Sequence, residues 1–176
     1  MRILKGRWAG RDLISPGGRV RPTSEAVRDT ALEWVTPELP GARVLDLFAG
    51  TGALGLEAVS RGAKTADFVE SQGAALHALK ANVAAFRLRK RCRIFKKDVF
   101  HFLGKVEPSA YGVAFVDPPY TSSMARRVVE RWHQVPFATV LVVETARDAE
   151  LPLGGELRVI GETSLTRYRT EGISTG

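Results

Sequence analysis

An acid, two prolines and an aromatic residue, Asp117-Pro118-Pro119-Tyr120, end the apolar run YGVAFV. With proline near 5% of residues, such a tetrapeptide arises by chance in on the order of 1% of chains this long, so it calls for a chemical reading. Consecutive prolines fix the backbone and remove two amide donors, leaving the Pro118 carbonyl and the Asp117 carboxylate as converging acceptors. Two acceptors can hold one amino group, and the Tyr120 ring offers a face to a planar heterocycle. An exocyclic amine on such a ring is a poor nucleophile because its lone pair is delocalised. Hydrogen bonds from its protons to Asp117 and Pro118 would favour pyramidalisation and aim the lone pair at an electrophile. Asp117, Pro118, Pro119 and Tyr120 are therefore the candidate catalytic residues.

A second constellation precedes it. In VLDLFAGTGALG a strand-like run carries Asp46 and turns through Phe48, Gly50, Thr51 and Gly52 into a helix opened by Ala53 and Leu54. Gly50, Gly52 and Gly55 satisfy G-x-G-x-x-G. With 17 glycines in 176 residues, that spacing alone arises by chance in roughly one chain in six, so context must decide. Glu70 ends the next strand-like run, where an acid can accept both ribose hydroxyls of an adenosine. Asp46 discriminates further, because a carboxylate beside a helix N-terminus repels the diphosphate of a dinucleotide. S-adenosylmethionine presents an ammonium, a sulfonium and a carboxylate instead. Asp46 suits its cationic part, and the glycine amides can meet its carboxylate. After the third strand, Asp98 either accepts from an adenine amino group or caps the helix that carries Val99, Phe100, Phe102 and Leu103. The expected donor site is Asp46, Phe48, Gly50, Thr51, Gly52, Glu70, Asp98 and Val99, with S-adenosylmethionine as cofactor.

These motifs need a scaffold that brings strand ends together. From Ala42 onward, short β-rich runs alternate with helical patterns, which predicts an α/β domain with a mainly parallel sheet. Candidate strands are Arg43–Leu47, Thr65–Glu70, Arg93–Lys96, Val113–Asp117, Thr139–Glu144, Leu157–Ile160 and Ser164–Tyr168. Leu76, Leu79, Val83 and Phe86 form the stripe of an amphipathic helix lying on the sheet. Only a short turn at Gly161 and Glu162 lies between the last two strands, so they should form an antiparallel hairpin. Before Ala42, glycine-punctuated basic residues lead into a helix capped by Thr23 or Ser24 and ending before Pro37. Residues 1–41 thus read as a small basic appendage, a hairpin plus helix facing RNA, and residues 42–176 as the catalytic domain.

The composition, 44% hydrophobic and 26% charged over 176 residues, suits one globular domain. No apolar run approaches the roughly 18–20 residues of a membrane span, and MRILKGRWAG lacks a signal-peptide core, so a cytoplasmic protein is expected. The lone Cys92 and the scattered His77, His101 and His133 predict neither a disulfide nor a metal site, with Cys92 a small strand residue. The net charge of +7 is localised: residues 1–22 carry +5, residues 87–97 carry +7, and the rest sums to −5. Two cationic segments on an acidic domain predict a phosphate-rich partner, with Arg7, Arg11, Arg21, Arg89, Lys90 and Arg91 as candidate RNA contacts.

With DLFAGTGALGLEA and DPPY in view, the chain resembles the class I methyltransferases. More narrowly it resembles the RsmD family, bacterial 16S ribosomal RNA guanine-N2 methyltransferases, with Arg2-Ile3, Gly6, Gly10-Arg11, Pro16, Arg21-Pro22-Thr23 and Val27-Arg28 similar to that family's opening signature. The resemblance implies a Rossmann-like seven-stranded sheet in the order 3-2-1-4-5-7-6. It also implies a ribosomal RNA or small-subunit substrate and donor contacts around Asp46, Gly50, Glu70 and Asp98. Acceptor contacts would fall at Asp117 and Tyr120, and the protein is expected to act as a monomer. Two departures stand out: Ser71-Gln72-Gly73 after Glu70, where such proteins often place another acid or asparagine, and Leu32-Glu33-Trp34, where they tend to have Leu-Phe-Asn. Other readings remain: methylation of adenine N6 in DNA or another RNA, a non-catalytic RNA-binding assembly factor, and a nicotinamide oxidoreductase that would leave DPPY unexplained.

Overall fold

A computed structural model describes residues 1–16 and 25–170. Its centre is β1 (Arg43–Leu47), whose Val44, Leu45 and Leu47 are all fully buried, as both-face burial in a parallel sheet demands. The other strands are β2 (Thr65–Val69), β3 (Cys92–Phe95), β4 (Tyr111–Val116), β5 (Ala138–Ala146), β6 (Glu156–Ile160) and β7 (Thr163–Arg169). They form one seven-stranded sheet in the order β3-β2-β1-β4-β5-β7-β6. Strands β1 to β5 run parallel, and β7 pairs antiparallel with both β5 and β6. The expected order and the closing hairpin are both present.

Strand ends differ from the sequence expectation by one or two residues, and pairing explains why. β4 starts at Tyr111 because that residue pairs with Ala138, and β5 runs on to Ala146 because β7 pairs with it that far. Cys92 is a buried residue of β3, and burial pushes its thiol up to about 12. His77, His101 and His133 are exposed, and no group that could hold a metal ion occurs among the described residues. No helix there is long and apolar enough to cross a membrane.

Helices α1 (Glu25–Glu33), α2 (Ala53–Ser60) and α3 (Gly73–Ala85) cover one face of the sheet through Leu32, Leu56 and Leu79; α4 (Val99–Leu103) and α5 (Met124–Gln134) cover the other through Phe102, Val128 and Trp132. The stripe Leu76, Leu79, Val83 and Phe86 is buried throughout. α1 stops at Glu33, before Pro37 as expected, and Pro37 sits in the first turn of a separate 3-10 helix, Thr36–Glu38. Thr23 and Ser24, the expected caps of α1, lie outside the described residues.

Residues 1–13 form a hairpin, with Ile3 N–H donating to the Arg11 carbonyl at 2.9 Å and Leu13 N–H to that of Met1 at 2.9 Å. Its Ile3 and Leu13 belong to the same apolar cluster as Leu56 and Phe68. Gly6 makes the docking possible, since a Cβ there would lie 2.1 Å from the Ser60 carbonyl oxygen. Beneath it, Arg28 and Glu57 form an ion pair at 3.0 Å with both side chains fully buried. Glu57 also accepts from the amides of Leu4 and Lys5, each at 3.2 Å. At the far edge, Trp34 lies buried between the guanidinium groups of Arg158 and Arg167, 4.2 and 4.5 Å from its ring centroid. Arg167 also donates to the Trp34 carbonyl at 2.8 Å. In the Leu32-Glu33-Trp34 departure, Trp34 is thus a packing residue against the β6–β7 hairpin, while Glu33 pairs with Lys5 and Arg61.

Candidate active site

The order of the sheet reverses direction between β1 and β4, and in doubly wound folds ligands bind beyond the strand ends at such a point. Four acids stand at or near the carboxyl ends of β3, β2, β1 and β4: Asp98, Glu70, Asp46 and Asp117. The sequence scatters them; the topology sets them in a row.

Asp46 is buried, and its Oδ2 accepts the Gly55 amide at 2.9 Å, filling one of the orphan donors of the first turn of α2. Burial is the main cause of a carboxyl pKa pushed well above the ordinary aspartate range; the Gly55 amide opposes this, while the charges of Asp117 and Glu70 add to it. The close approach requires a glycine, since a Cβ on Gly55 would meet the Phe68 ring at 2.4 Å. The loop before α2 is tightly wound: Phe48, Gly50 and Gly52 have φ of 57°, 58° and 83°. For Phe48 that left-handed conformation carries strain, a frequent property of ligand-binding loops.

The expectation that glycine amides would meet a ligand carboxylate is not met at these two positions. The Gly50 amide donates to Glu70 Oε2 at 2.7 Å and the Gly52 amide to the Ala49 carbonyl at 2.8 Å. The first amide is taken by a strand-end acid, and the second closes the turn on itself. Glu70 Oε1 accepts the Gln72 amide at 2.7 Å, so this buried carboxylate braces the loop with both oxygens. Asp98 is the N-cap of α4, its Oδ1 accepting from the amides of Phe100 and His101 at 2.9 and 3.0 Å. Val99 is buried behind it.

One residue absent from the sequence reading joins this loop to the N-terminal segment. Asn82, fully buried on α3, donates from Nδ2 to the carbonyls of Thr51 and Ile14, both at 2.9 Å, and accepts the Ile14 amide at 2.7 Å. Its signal in the sequence is a polar residue inside the stripe of Leu79, Val83 and Phe86.

Just beyond the end of β4, Asp117 is half-buried, Pro118 buried and Pro119 exposed. The Tyr120 hydroxyl donates to Glu144 Oε1 at 2.5 Å and lies 2.8 Å from Thr163 Oγ1. Burial first, then the bond to Glu144, pushes the phenol up to about 12. A cavity of about 210 Å³ adjoins Pro118, Pro119, Tyr120, Glu144 and Thr145. Glu144 is a further strand-end acid, on β5, that the sequence reading gave no role.

The basic hairpin packs on the residues just before the second basic segment. Trp8 packs edge-on against Phe86 at 5.6 Å, and Arg11 lies 4.2 Å over the same ring while donating to the Ala85 carbonyl at 3.1 Å. The hairpin carrying Arg7 and Arg11 therefore borders the end of α3, where Arg89 and Lys90 are exposed. Arg91 differs from its neighbours: it donates to the carbonyls of Ala63 and Lys64 at 2.7 and 2.9 Å, tying down the turn before β2. Arg21 lies outside the described residues.

A family model described as conserved hypothetical protein 95 matches residues 1–172. Ribosomal RNA small subunit methyltransferase D of Haemophilus influenzae is 31% identical over 96% of this chain and 92% of its own length. The Escherichia coli K12 protein of the same name is 36% identical over 73% of this chain and 65% of its own length. A solved structure of a hypothetical protein from Thermus thermophilus superposes with a TM-score of 0.85, at 32% identity, covering 97% of this chain and 99% of that one. Sheet order, switch point and loop define a Rossmann-like methyltransferase of class I. Within that class the chain belongs to the ribosomal RNA small subunit methyltransferase D, or RsmD, family.

Proposed function

We propose that the protein transfers a methyl group from S-adenosylmethionine to the exocyclic N2 amino group of a guanine in small-subunit ribosomal RNA. The observation that carries this reading is the juxtaposition of a buried, strand-end Asp46 with Asp117-Pro118-Pro119-Tyr120 at the end of the adjacent strand, across the switch point of the sheet. A buried carboxylate with a raised pKa suits a cationic ligand, whose positive charge would stabilise the ionised form. Family membership, with relatives named for ribosomal RNA methylation, supports the same substrate class.

In this reading Asp46, Phe48, Gly50, Thr51, Gly52, Glu70, Asp98 and Val99 line the donor site. The sulfonium supplies an activated methyl group and a good leaving group. Asp117 and the Pro118 carbonyl accept hydrogen bonds from the guanine amino group and localise its lone pair; the adjacent N1–H gives Asp117 a second donor that adenine N1 lacks. Pro119 stiffens the turn, and Tyr120 stacks on the base. Positioning then provides most of the rate enhancement, with no metal required. The face formed by Arg7, Arg11, Arg89 and Lys90 holds the RNA backbone, and residues 1–41 supply much of it. The test is to incubate the protein with labelled donor and either unmodified ribosomal RNA or small-subunit particles, then to map the product nucleoside by mass spectrometry. N2-methylguanosine is expected; N6-methyladenosine would favour the adenine reading, and no product would favour a binding factor.

A further inference from the structure

We propose that Glu144 is a positioning residue of the acceptor site, which by accepting the Tyr120 hydroxyl fixes the plane on which the substrate base stacks. The inference rests on reading Asp117–Tyr120 as the acceptor site.

A carboxylate at the end of a central strand is an expensive residue to keep if packing were its only duty. Glu144 is 6% exposed, its backbone register places it opposite Leu165 of β7, and it borders the cavity beside the two prolines. Buried charges persist where donors meet them, and the Tyr120 hydroxyl is such a donor, at 2.5 Å. Thr163 on β7, 2.8 Å from the same hydroxyl, provides a second hold. The ring is therefore fixed at both ends: its backbone follows Pro118 and Pro119, each with restricted φ, and its tip is tied to β5 and β7. A stacking face ordered before the base arrives does not lose rotamer freedom on binding, and it presents the base in one orientation toward the methyl donor. With the phenol pushed up to about 12, the hydroxyl stays a donor to Glu144 throughout the working range.

Sequence alone assigns Tyr120 nothing but a ring, so phenylalanine would serve equally. The structure makes the hydroxyl matter. Loss of a buried hydrogen bond to a charged acceptor corresponds to about ten- to a hundredfold. Single-turnover methyl transfer to small-subunit particles would be measured for Tyr120→Phe, Glu144→Ala, Glu144→Gln and the Tyr120→Phe/Glu144→Ala pair, with donor and RNA affinities in parallel. Tyr120→Phe and Glu144→Ala should each slow the chemical step by about ten- to a hundredfold while donor affinity stays unchanged. Glu144→Gln, whose amide oxygen still accepts from the phenol, should recover most of the rate. The double variant should be no slower than the slower single one, because both changes break the same contact.

Losses that multiply in the double variant, or a wild-type rate for Tyr120→Phe, would overturn the role of Glu144. If Glu144→Ala does not fold, the isosteric Glu144→Gln and Tyr120→Phe decide the matter alone: a slow Tyr120→Phe with an active Glu144→Gln supports it, and any other pairing refutes it. Asp117→Ala separates the two levels of the claim. An inactive Asp117→Ala beside a fully active Tyr120→Phe removes only the Glu144 proposal, whereas a fully active Asp117→Ala removes the acceptor site on which it stands.

Discussion

In the proposed reading, Asp46 ties ligand affinity to stability at a single carboxyl group. Its carboxyl pKa in the folded protein is raised, chiefly by burial, above its value in the unfolded chain. The stability it contributes is therefore fully present below the ordinary aspartate range and is lost as pH rises through the raised value. Asp46→Asn keeps an oxygen for the Gly55 amide and has no charge to bury. The variant should melt above the wild type at neutral pH, and the difference should close on acidification, as thermal melts across pH would record. Because a cationic donor favours the ionised carboxylate, wild-type affinity for S-adenosylmethionine should strengthen as pH rises, while the variant binds weakly with a flat profile in calorimetry. In the proposed reading Asp117 acts on the other reactant. Asp117→Ala should abolish methyl transfer with donor affinity nearly intact, and Asp117→Asn should retain more activity than Ala, since its carbonyl still accepts one hydrogen bond. Equal activity of Ala and the wild type in single-turnover assays would mean that the acceptor lies elsewhere.

At the scale of elements, α3 carries more than its apolar stripe. Asn82 satisfies the Thr51 carbonyl on the loop between β1 and α2 and both backbone groups of Ile14. Asn82→Leu, similar in size, should destabilise by about 1–3 kcal/mol through these orphaned polar groups and weaken donor binding as Thr51 loses its anchor. Denaturant titration and calorimetry read the two effects separately. The strands, the helix stripe and the terminal hairpin were legible in the sequence because period and turn length are local properties. So were Asp46, Glu70, Asp98 and Asp117, each marking a strand end. The partners of those acids were not legible. That Glu70 holds the Gly50 amide and Tyr120 reaches Glu144 depends on strand order and on residues 20 and 24 positions apart in sequence. Asn82 was missed for the same reason: its partners arrive from two other segments. Pattern also could not separate Arg91 from Arg89 and Lys90, since the carbonyls it serves belong to the turn before β2.

Over the whole molecule, the basic hairpin borders the end of α3, with Arg11 over Phe86 and on the Ala85 carbonyl, although sequence separates the two. Charge reversal at Arg89 and Lys90 should lower RNA affinity and flatten its dependence on salt, leaving donor affinity and melting temperature unchanged. Reversal at Arg91 should instead lower the melting temperature, because the Ala63 and Lys64 carbonyls lose their donor. Removing residues 1–22 is a different operation from removing charge, since Ile3 and Leu13 leave the core and Ile14 leaves Asn82. That truncation should depress both stability and donor binding.

The clasp around Trp34 bears on how the chain reaches this fold during synthesis. Arg167 and Trp34 are 133 residues apart. At about 5–20 residues per second, translation keeps them apart for several seconds or more after α1 has emerged. Over that interval the first helix lacks the strand that fixes its exit, and closing so long a loop is a late, entropically costly event. A ribosome-bound chain arrested before β7 should therefore show rapid amide exchange in α1 while the β1–β2 region is already protected. Release past Arg169 should slow exchange at both ends of the molecule together.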